Sequence, residues 1–436
     1  MRSGYREMYD FYRTAQWWTL EQIELWQLKK LKEIIHYAYH NVPGYHQLYS
    51  EAGVVPEDIR SLEDIRNLPF TDKGMIRDNL DDFTSTAIPA RKLRYNSTGG
   101  STGIPFGFYS TTRNNTIEAA FMNSIWERAG WRINDKGVVL RGGYVGSRKK
   151  LFSKTVPYRV ELSSYYLTGR TYPAYRQFLL KMRPPFLHAY PSTAAEFAKM
   201  VLKAGDQEVI TFNSIFIGSE NVYEWQKALI KAAFPAAKLL SWYGLSEQAV
   251  FAPWCEKSEK YHISPFYGFT ELIGSENKEV AENSTGEIIG TSFWREATPF
   301  IRYRTMDYAK KGAPGCPLCG RNFRLLETID GRVNEVIVSR HGRRIPMTAI
   351  NMHDRTFDEI TQFRFVQQQP GELDLLVVPK GSYSSASEEK ILRAMTEKLG
   401  EDFTLRIKQV EKIPRTKSGK YSFLEQHLDI EHSDRV

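Results

Sequence analysis

Cysteine is scarce in this sequence, with three residues in 436. So few cysteines exclude a disulfide-stapled secreted protein, and a reducing, cytoplasmic location is expected. No run of about 18 apolar residues is present, which is the length that a membrane-spanning helix needs. The segment from Met1 to Phe11 is polar and aromatic, without a charged start that leads into an apolar run. We therefore expect neither a membrane span nor a signal peptide.

A large excess of one charge sign is also missing. The 59 basic and 51 acidic residues leave a net charge of +8. The basic residues are scattered, so the charge suits a small polyanionic ligand better than nucleic acid. Hydrophobic residues at 42% and charged residues at 25% are ordinary values for a globular enzyme. A monomer and a homodimer both remain open.

Short apolar runs alternate with helical patterns through the middle of the chain. The predicted strands are Val138 to Leu140, Phe186 to Ala189, Ser214 to Ile217 and Leu239 to Trp242, and the predicted helices are Thr193 to Ala204 and Tyr223 to Phe234. This alternation predicts an α/β fold with a mixed or parallel sheet covered by helices. We expect a large N-terminal domain, 1–330, and a small C-terminal α+β domain, 331–436. A turn at Asp330-Gly331-Arg332 is the candidate hinge.

The most distinctive local feature is a run of small and hydroxyl residues. It comprises Ser97, Thr98, Gly99, Gly100, Ser101, Thr102 and Gly103. Glycines let several backbone N–H groups point inward and hydroxyls add donors, so such a run can cradle an anion. The Gly-Lys-Ser/Thr ending of a P-loop is missing. Taken alone, the run is more typical of a flexible surface loop.

Three further motifs follow in order: Tyr243-Gly244-Leu245-Ser246-Glu247, then Arg302 to Asp307, then Pro414 to Lys420. Together with the glycine-rich run they resemble the adenylate-forming superfamily. Within it the chain is most similar to the phenylacetate–CoA ligase branch, which includes the CapK-like proteins associated with capsular polysaccharide synthesis. The segments Asn41 to Tyr45, Leu68 to Lys73 and Ile217 to Glu220 also resemble signatures of that branch. The resemblance implies that ATP activates a carboxylic acid as acyl-AMP and that pyrophosphate is released.

The resemblance also implies which residues hold the nucleotide. The run from Ser97 to Gly103 would hold the β- and γ-phosphates. Tyr243 and Gly244 would lie along the adenine, and the other wall of the pocket would be formed by Gly218, Ser219 and Glu220. Asp307 would bind the ribose hydroxyls. Arg332 would contact the nucleotide or steady a domain rotation. Taken alone, Asp307 is equally typical of a surface ion pair and Glu220 of a helix cap.

Three residues are implied in the reaction itself. Glu247 would bind the Mg²⁺ that bridges phosphate oxygens, since a hard cation prefers oxygen ligands. Ser246 would contact the α-phosphate, and Lys420 would bring positive charge to the carboxylate and the α-phosphate. The branch usually has threonine at the position of Ser246 and glycine at that of Met306, directly before the ribose-binding aspartate.

The three cysteines suggest a second metal. Cys316 and Cys319 form a short-spaced pair followed by glycine, while Cys255 and His262 lie upstream. A structural zinc takes four ligands, and these four residues would provide a Cys₃His set with no open position. The alternative is three free thiols and a core histidine.

Neither the acid nor its acceptor follows from the sequence. Candidate residues of the acyl pocket are Arg141 to Tyr144, His188 to Pro191, and Trp242 with Val250 and Phe251; Arg141 is a candidate partner of a second carboxylate. Coenzyme A is the expected acceptor thiol. Transfer to an amine in polysaccharide biosynthesis, as in CapK-like members, is the alternative. A non-catalytic nucleotide-binding homologue and a zinc-dependent nucleic-acid binder are the rival classes.

Overall fold

The computed structural model of the chain describes residues 3–98, 106–141, 152–156, 159–164, 167–332, 336–342, 344–347, 356–357, 359–414 and 422–428. The chain divides into two compact units. Unit 1 consists of Met1–Ile133 and Leu240–Ile329, and unit 2 of Asn134–Leu239 and Asp330–Val436. Within the described residues, no helix combines the length and the apolar character needed to cross a membrane.

The described elements are helices and strands in mixed order. The helices are α1 (Ser3–Ala15), α2 (Leu20–Asn41), α3 (Pro43–Glu51), α4 (Lys73–Asp78), α5 (Thr112–Arg128), α6 (Tyr172–Met182), α7 (Pro191–Ala204), α8 (Glu224–Ala233) and α9 (Ser385–Leu399). The first ten strands are β1 (Arg94–Thr98), β2 (Phe106–Ser110), β3 (Gly137–Arg141), β4 (Phe152–Val156), β5 (Arg159–Ser163), β6 (Phe186–Ala189), β7 (Ser214–Gly218), β8 (Lys238–Gly244), β9 (Phe251–Pro253) and β10 (Tyr261–His262). The others are β11 (Gly268–Ile273), β12 (Thr285–Ser292), β13 (Tyr303–Lys311), β14 (Leu325–Arg332), β15 (Val336–Val338), β16 (Arg344–Pro346), β17 (Ile360–Gln369), β18 (Glu372–Pro379), β19 (Thr404–Gln409) and β20 (Leu424–Gln426).

Unit 1 is built around a five-stranded sheet of order β10-β14-β13-β12-β11. Its core joins apolar side chains of α2, such as Leu31 and Ile35, to Ile288 of β12 and Leu326 of β14. The helix α2 begins with a capping box, in which Thr19 and Gln22 exchange side-chain-to-backbone hydrogen bonds at 3.3 and 3.0 Å. The apolar spacing of this segment predicts such an amphipathic helix.

Unit 2 contains a parallel sheet core. β5, β3, β6 and β7 pair in parallel in that order, and β4 adds an antiparallel edge. The helices α7 and α8 cover the sheet through side chains such as Phe197, Val201 and Ile230. The strands and helices predicted here are all present, with ends within two residues of the prediction. Buried apolar runs of this length predict parallel strands because both faces of such a sheet are covered.

The C-terminal part of unit 2 is an α+β layer. Its sheet has the order β19-β18-β17-β20, and α9 packs on it through Ile391, Met395 and Leu399. The predicted turn at Asp330-Gly331-Arg332 is wrong, because β14 continues to Arg332. β14 belongs to the five-stranded sheet, and a scarcity of apolar residues near the end of a strand does not by itself predict a turn.

Candidate active site

Two of the predicted motifs meet in unit 1. The Tyr243 hydroxyl donates a hydrogen bond to Asp307 Oδ2 at 2.6 Å, and the Tyr303 hydroxyl donates one to Glu247 Oε1 at 3.1 Å. Tyr243 lies at the carboxyl end of β8, and Glu247 follows in the loop that leads to β9. Asp307 lies on β13. Because the two bonds cross between the motifs, residues about 60 positions apart form one group of acidic and phenolic side chains.

Asp307 reaches Tyr243 because β13 bulges. β13 takes four steps from Arg304 to Tyr308 where β12 takes two, from Ile289 to Glu287. Met306 occupies the bulge with a φ of 63°, a left-handed conformation that glycine adopts without strain. In this chain a methionine therefore adopts the left-handed backbone conformation that favours glycine. A β-bulge commonly re-aims a side chain beside a functional site.

Side chains that the sequence did not single out hold this bulge. Thr305 Oγ1 donates to the Ile288 carbonyl at 2.6 Å and accepts from the Asp307 N–H at 3.1 Å. The buried carboxylate of Glu287 pairs with Arg304 at 2.6 Å and accepts from the Met306 N–H at 3.3 Å. The glycine expected at 306 was the one sequence signal of this bulge.

The early segment Leu68 to Lys73 supports the same strand. Arg302 is fully buried and forms a two-point ion pair with Glu271, at 2.9 and 3.1 Å. Its Nη1 donates to the Leu68 carbonyl at 2.7 Å, while Thr71 exchanges backbone hydrogen bonds with Arg302 and Arg304. Two motifs that are far apart in the chain are thus one piece of structure.

A second buried arginine lies behind the Glu247 loop. Arg295 is 2% exposed and donates to Gln248 Oε1 and to the Tyr109 carbonyl, both at 3.2 Å. Gln248 follows Glu247 directly and has a φ of 57°, so Arg295 helps to hold a strained loop. Nearby, the Tyr267 hydroxyl donates to Glu118 Oε2. Burial raises the pKa of the Glu118 carboxyl to about 7, against the hydrogen bond from Tyr267 and the charge of Arg295, which lower it.

Glu118 predicts a pH dependence of stability. Its folded pKa lies above the ordinary value of 4.5, so the folded chain holds the proton more tightly than the unfolded chain. The free energy of unfolding should therefore fall as pH rises from about 4.5 to about 7, by on the order of 2 kcal/mol. Glu118→Gln mimics the protonated acid and should remove this loss when urea unfolding is followed across that range.

The matched variant Tyr267→Phe removes the donor that lowers the pKa of Glu118. The pKa of Glu118 should therefore rise further in Tyr267→Phe, and the loss of stability should extend to higher pH. Glu118→Gln, by contrast, should remove the loss. Parallel pH profiles for the wild type and Glu118→Gln would contradict the prediction.

The Gly218-Ser219-Glu220 element lies in unit 2, at the carboxyl end of β7. Ser219 is exposed with a φ of 69°. Glu220 Oε2 accepts a hydrogen bond from the Ser192 N–H at 3.0 Å, in the first turn of α7. A carboxylate at this end of a helix compensates its exposed N–H groups, so Glu220 does cap a helix. Its predicted role beside the nucleotide remains a prediction.

Several predicted residues lie outside the described residues: Gly99, Gly100, Ser101, Thr102 and Gly103, and also Lys420. Ser97 and Thr98 end β1, where they pair with Gly107 and Phe106 of β2. Arg332 is the last residue of β14. Of the reaction residues, Ser246 is exposed, whereas Glu247 is 9% exposed.

The predicted metal ligands converge in unit 1. One ligand atom from each of Cys255, His262, Cys316 and Cys319 lies within 4.8 Å of the other three. Cys255 Sγ and Cys316 Sγ are 3.8 Å apart, and Cys319 Sγ is 3.7 Å from His262 Nε2. Zinc–sulfur bonds of about 2.3 Å place two sulfurs of a tetrahedron about 3.8 Å apart. A disulfide would need about 2.05 Å, so these three thiols are free and spaced as zinc ligands.

The surroundings of the cysteines suit a metal. The Lys257 N–H donates to Cys255 Sγ at 3.4 Å, and Gly320 closes the turn after Cys319 with a φ of 78°. Burial, with the charges of Arg128 and Arg321, lowers the pKa of His262 to about 3. The imidazole is therefore neutral, which is the form that binds metal.

The fold is that of the adenylate-forming CoA ligases. The structure is similar to that of 2-hydroxyisobutyryl-CoA ligase in complex with 2-HIB-AMP, with a TM-score of 0.74 and 20% sequence identity. The match covers 93% of this chain and 90% of that chain. Residues 337–427 match the family model of the CapK C-terminal domain. The predicted α/β class with a C-terminal α+β domain is confirmed.

The chain is a homologue of phenylacetate–CoA ligases and of CapK, as its motifs suggested. It is 26% identical to phenylacetate-coenzyme A ligase of Aromatoleum evansii over 373 residues, which are 82% of this chain and 81% of that protein. It is 24% identical to protein CapK of Staphylococcus aureus over 419 residues, 91% of this chain and 88% of that protein.

Proposed function

We propose that this protein uses ATP to convert a carboxylic acid into acyl-AMP and pyrophosphate, and then transfers the acyl group to coenzyme A. The observation that carries the proposal is the pair of hydrogen bonds Tyr243–Asp307 and Tyr303–Glu247, which join two nucleotide motifs into one group. Homology to phenylacetate–CoA ligases over four fifths of the chain supports the same activity.

The chemistry requires positive charge, because a carboxylate and a triphosphate repel each other. In our proposal Glu247 binds Mg²⁺ on the phosphate oxygens, Ser246 contacts the α-phosphate, and Lys420 screens the approaching carboxylate. The hydroxyls and N–H groups from Ser97 to Gly103 hold the departing pyrophosphate. The carboxylate oxygen forms a bond to the α-phosphorus, and the bond from that phosphorus to pyrophosphate breaks.

Asp307, Tyr243, Gly244, Gly218, Ser219 and Glu220 bind the nucleoside in this proposal. Asp307 is fixed by the Tyr243 hydroxyl and the bulge of β13, so its carboxylate is pre-aligned to accept bonds from ribose hydroxyls. Arg332 follows closely in the sequence on Ile329, the last residue of unit 1. We propose that it contacts the nucleotide or steadies a rotation of the C-terminal domain.

A panel of carboxylic acids scored by ATP–pyrophosphate exchange tests the activity. At least one acid should support exchange that depends on both the acid and Mg²⁺. Tight ATP or AMP binding without exchange for any acid would instead indicate a non-catalytic nucleotide-binding homologue. Salt-sensitive DNA or RNA binding without exchange would indicate the nucleic-acid binder.

The acceptor is tested separately. With an active acid, coenzyme A should accelerate AMP release and yield a thioester. Transfer to an amine in polysaccharide biosynthesis is the second candidate, favoured by the similarity to CapK over 91% of the chain. An aminosugar or amino acid that accelerates AMP release while coenzyme A does not would select it.

The tyrosine partners separate nucleotide binding from metal binding. Tyr243→Phe removes the donor to Asp307 and should raise the KM for ATP about tenfold, since a hydrogen bond to a charged group contributes on the order of 1.5–3 kcal/mol. Tyr303→Phe removes the donor to Glu247 and should mainly raise the Mg²⁺ concentration that gives half-maximal rate. Equal effects of both variants on the KM for ATP would contradict the separate roles.

We also propose that Cys255, His262, Cys316 and Cys319 bind a structural Zn²⁺. All four donors are used, so no position is left for a substrate. A reducing, cytoplasmic location belongs to the same proposal, because the thiols must remain reduced to bind metal.

The division into domains 1–330 and 331–436 remains part of the proposal. Within unit 2 the aromatic rings of Trp225 and Phe423 lie 5.8 Å apart, and those of Tyr223 and Phe423 5.2 Å apart. A rotation of the C-terminal domain would have to open this contact between the start of α8 and the residue before β20.

A further inference from the structure

The carboxyl ends of β3 and β6 carry a group of polar and aromatic side chains that the nucleotide chemistry does not use. Arg141 ends β3, His188 lies on β6, and Tyr190 follows that strand. Arg141 Nη2 donates to His188 Nε2 at 2.5 Å, and the guanidinium lies 4.9 Å from the centre of the Tyr190 ring. Ligands of parallel α/β sheets bind at this edge, beyond the carboxyl ends of the strands.

The guanidinium is incompletely satisfied. The bond to His188 is the hydrogen bond that it makes within the described residues, and its Nε is buried without a partner. No carboxylate among the described residues forms an ion pair with it. A desolvated cation with an unused donor is costly, so such a site is complementary to an anion.

The neighbouring groups compensate this charge only in part, since burial outweighs them and lowers the pKa of Arg141. Burial and the charge of Arg141 hold the pKa of His188 well below its ordinary range, so the imidazole is a neutral acceptor. Glu220 favours the charged form of Arg141 through space, while its Oε2 accepts the hydrogen bond from the Ser192 N–H. Arg159, the other charged group that acts on Arg141, is a cation and adds repulsion.

We infer that Arg141, oriented by His188 and Tyr190, binds a second anionic group on the acyl part of the substrate, most simply the distal carboxylate of a dicarboxylic acid. A guanidinium fits a carboxylate because pairs of its N–H groups lie parallel in one plane and can donate to both oxygens. The Tyr190 ring, 4.9 Å from the guanidinium, supports its position. This inference rests on the proposed function, since it assigns the acid that the proposed activity would use.

The test compares acids of equal chain length with and without the second carboxylate, namely succinate with butyrate and glutarate with valerate. In pyrophosphate exchange the wild type should favour the diacids by about a hundredfold in kcat/KM. A monoacid that enters the site has no second carboxylate, so it leaves the buried guanidinium unpaired. Arg141→Met should abolish or invert this preference. The control Arg170→Met changes an exposed arginine of the same unit and should keep it.

A binding measurement separates this inference from the proposed activity. Glutarate should raise the melting temperature of the wild type and of Arg170→Met but not that of Arg141→Met. If these melting-temperature shifts are seen but no acid supports pyrophosphate exchange, the anion site is supported and the proposed ligase activity is overturned. Exchange that favours monoacids and is unchanged in Arg141→Met would overturn the inference alone.

The competing anion is a phosphate of the nucleotide. If Arg141→Met raises the KM for ATP and leaves the preference among acids unchanged, Arg141 binds the nucleotide and the inference is overturned. An unchanged KM for ATP, with the diacid preference lost, is the expected result.

Discussion

Lys420→Ala is expected to slow acid-dependent pyrophosphate exchange by about a hundredfold to a thousandfold, the loss typical when one oriented charge is removed from a transition state. Carboxylate and α-phosphate must approach each other while both are negative, and the proposed ammonium group lowers that repulsion. ATP binding should stay measurable, because Asp307, Tyr243 and the glycine-rich run are proposed to contact other parts of the nucleotide. Exchange kinetics and ATP titration of the same variant check both statements.

Two matched variants sharpen this experiment. Lys417→Ala removes an equal charge three residues earlier in the same segment, and its exchange rate should stay close to that of the wild type. Lys420→Arg keeps the charge but changes the shape of the head group, so partial activity is expected. Unchanged exchange in Lys420→Ala, or equal losses in Lys417→Ala and Lys420→Ala, would remove the proposed role of Lys420.

Loss of zinc is expected to have the largest effect on stability. The purified protein should contain about one zinc per chain, because Cys255, His262, Cys316 and Cys319 bring four candidate ligand atoms within 4.8 Å of one another. Strong chelation should lower the melting temperature by roughly 10 °C, since the binding free energy of a structural metal is part of the folding free energy. Metal analysis and thermal unfolding measure the two quantities.

The segment after α1 contacts the residues next to this site. Next to the cysteine pair, Arg321 donates to Gln16 Oε1 at 2.9 Å and stacks on the Trp17 ring at 4.6 Å. Arg321 also pairs with Glu256 at 2.8 Å. Without the metal, the turn that carries Arg321 would lose its fixed position, so the segment after α1 should become sensitive to proteases.

Cys316→Ser provides the control for the chelation experiment. Serine is nearly the same size but is a poor zinc ligand, so this variant should start at the stability that the chelated wild type reaches. Chelator should then lower the melting temperature of Cys316→Ser very little. Less than half an equivalent of zinc, together with full stability of Cys316→Ser, would rule the site out.

Much of the fold was predictable because local sequence and tertiary structure agree. The apolar runs of β6 and β7 and the amphipathic pattern of α2 produced elements close to those observed. The sequence before α4 offers Thr71 or Asp72 as its cap, and in the structure Asp72 accepts from the Met75 N–H at 2.8 Å. By contrast, β14 continues through Asp330-Gly331-Arg332, where the local sequence is typical of a turn.

The candidate site was predictable in composition but not in geometry. Motif residues such as Tyr243 and Asp307 could be named, while their mutual hydrogen bond depends on a bulge in β13. The supporting residues Glu287, Arg302 and Arg295 act through burial and pairing, which a single sequence does not reveal. The cysteines were more informative, because metal ligands must be few, specific in type and convergent.

The central claim, that a carboxylate oxygen attacks the α-phosphorus of ATP, can be tested by isotope transfer. An active acid labelled with heavy oxygen in its carboxylate is incubated with the enzyme, ATP, Mg²⁺ and the acceptor until AMP accumulates, and the AMP is analysed by mass spectrometry. We predict AMP that carries one heavy oxygen atom, left behind when the acyl group departs. Unlabelled AMP, or heavy oxygen found in inorganic phosphate with ADP as the nucleotide product, would contradict an acyl-adenylate intermediate.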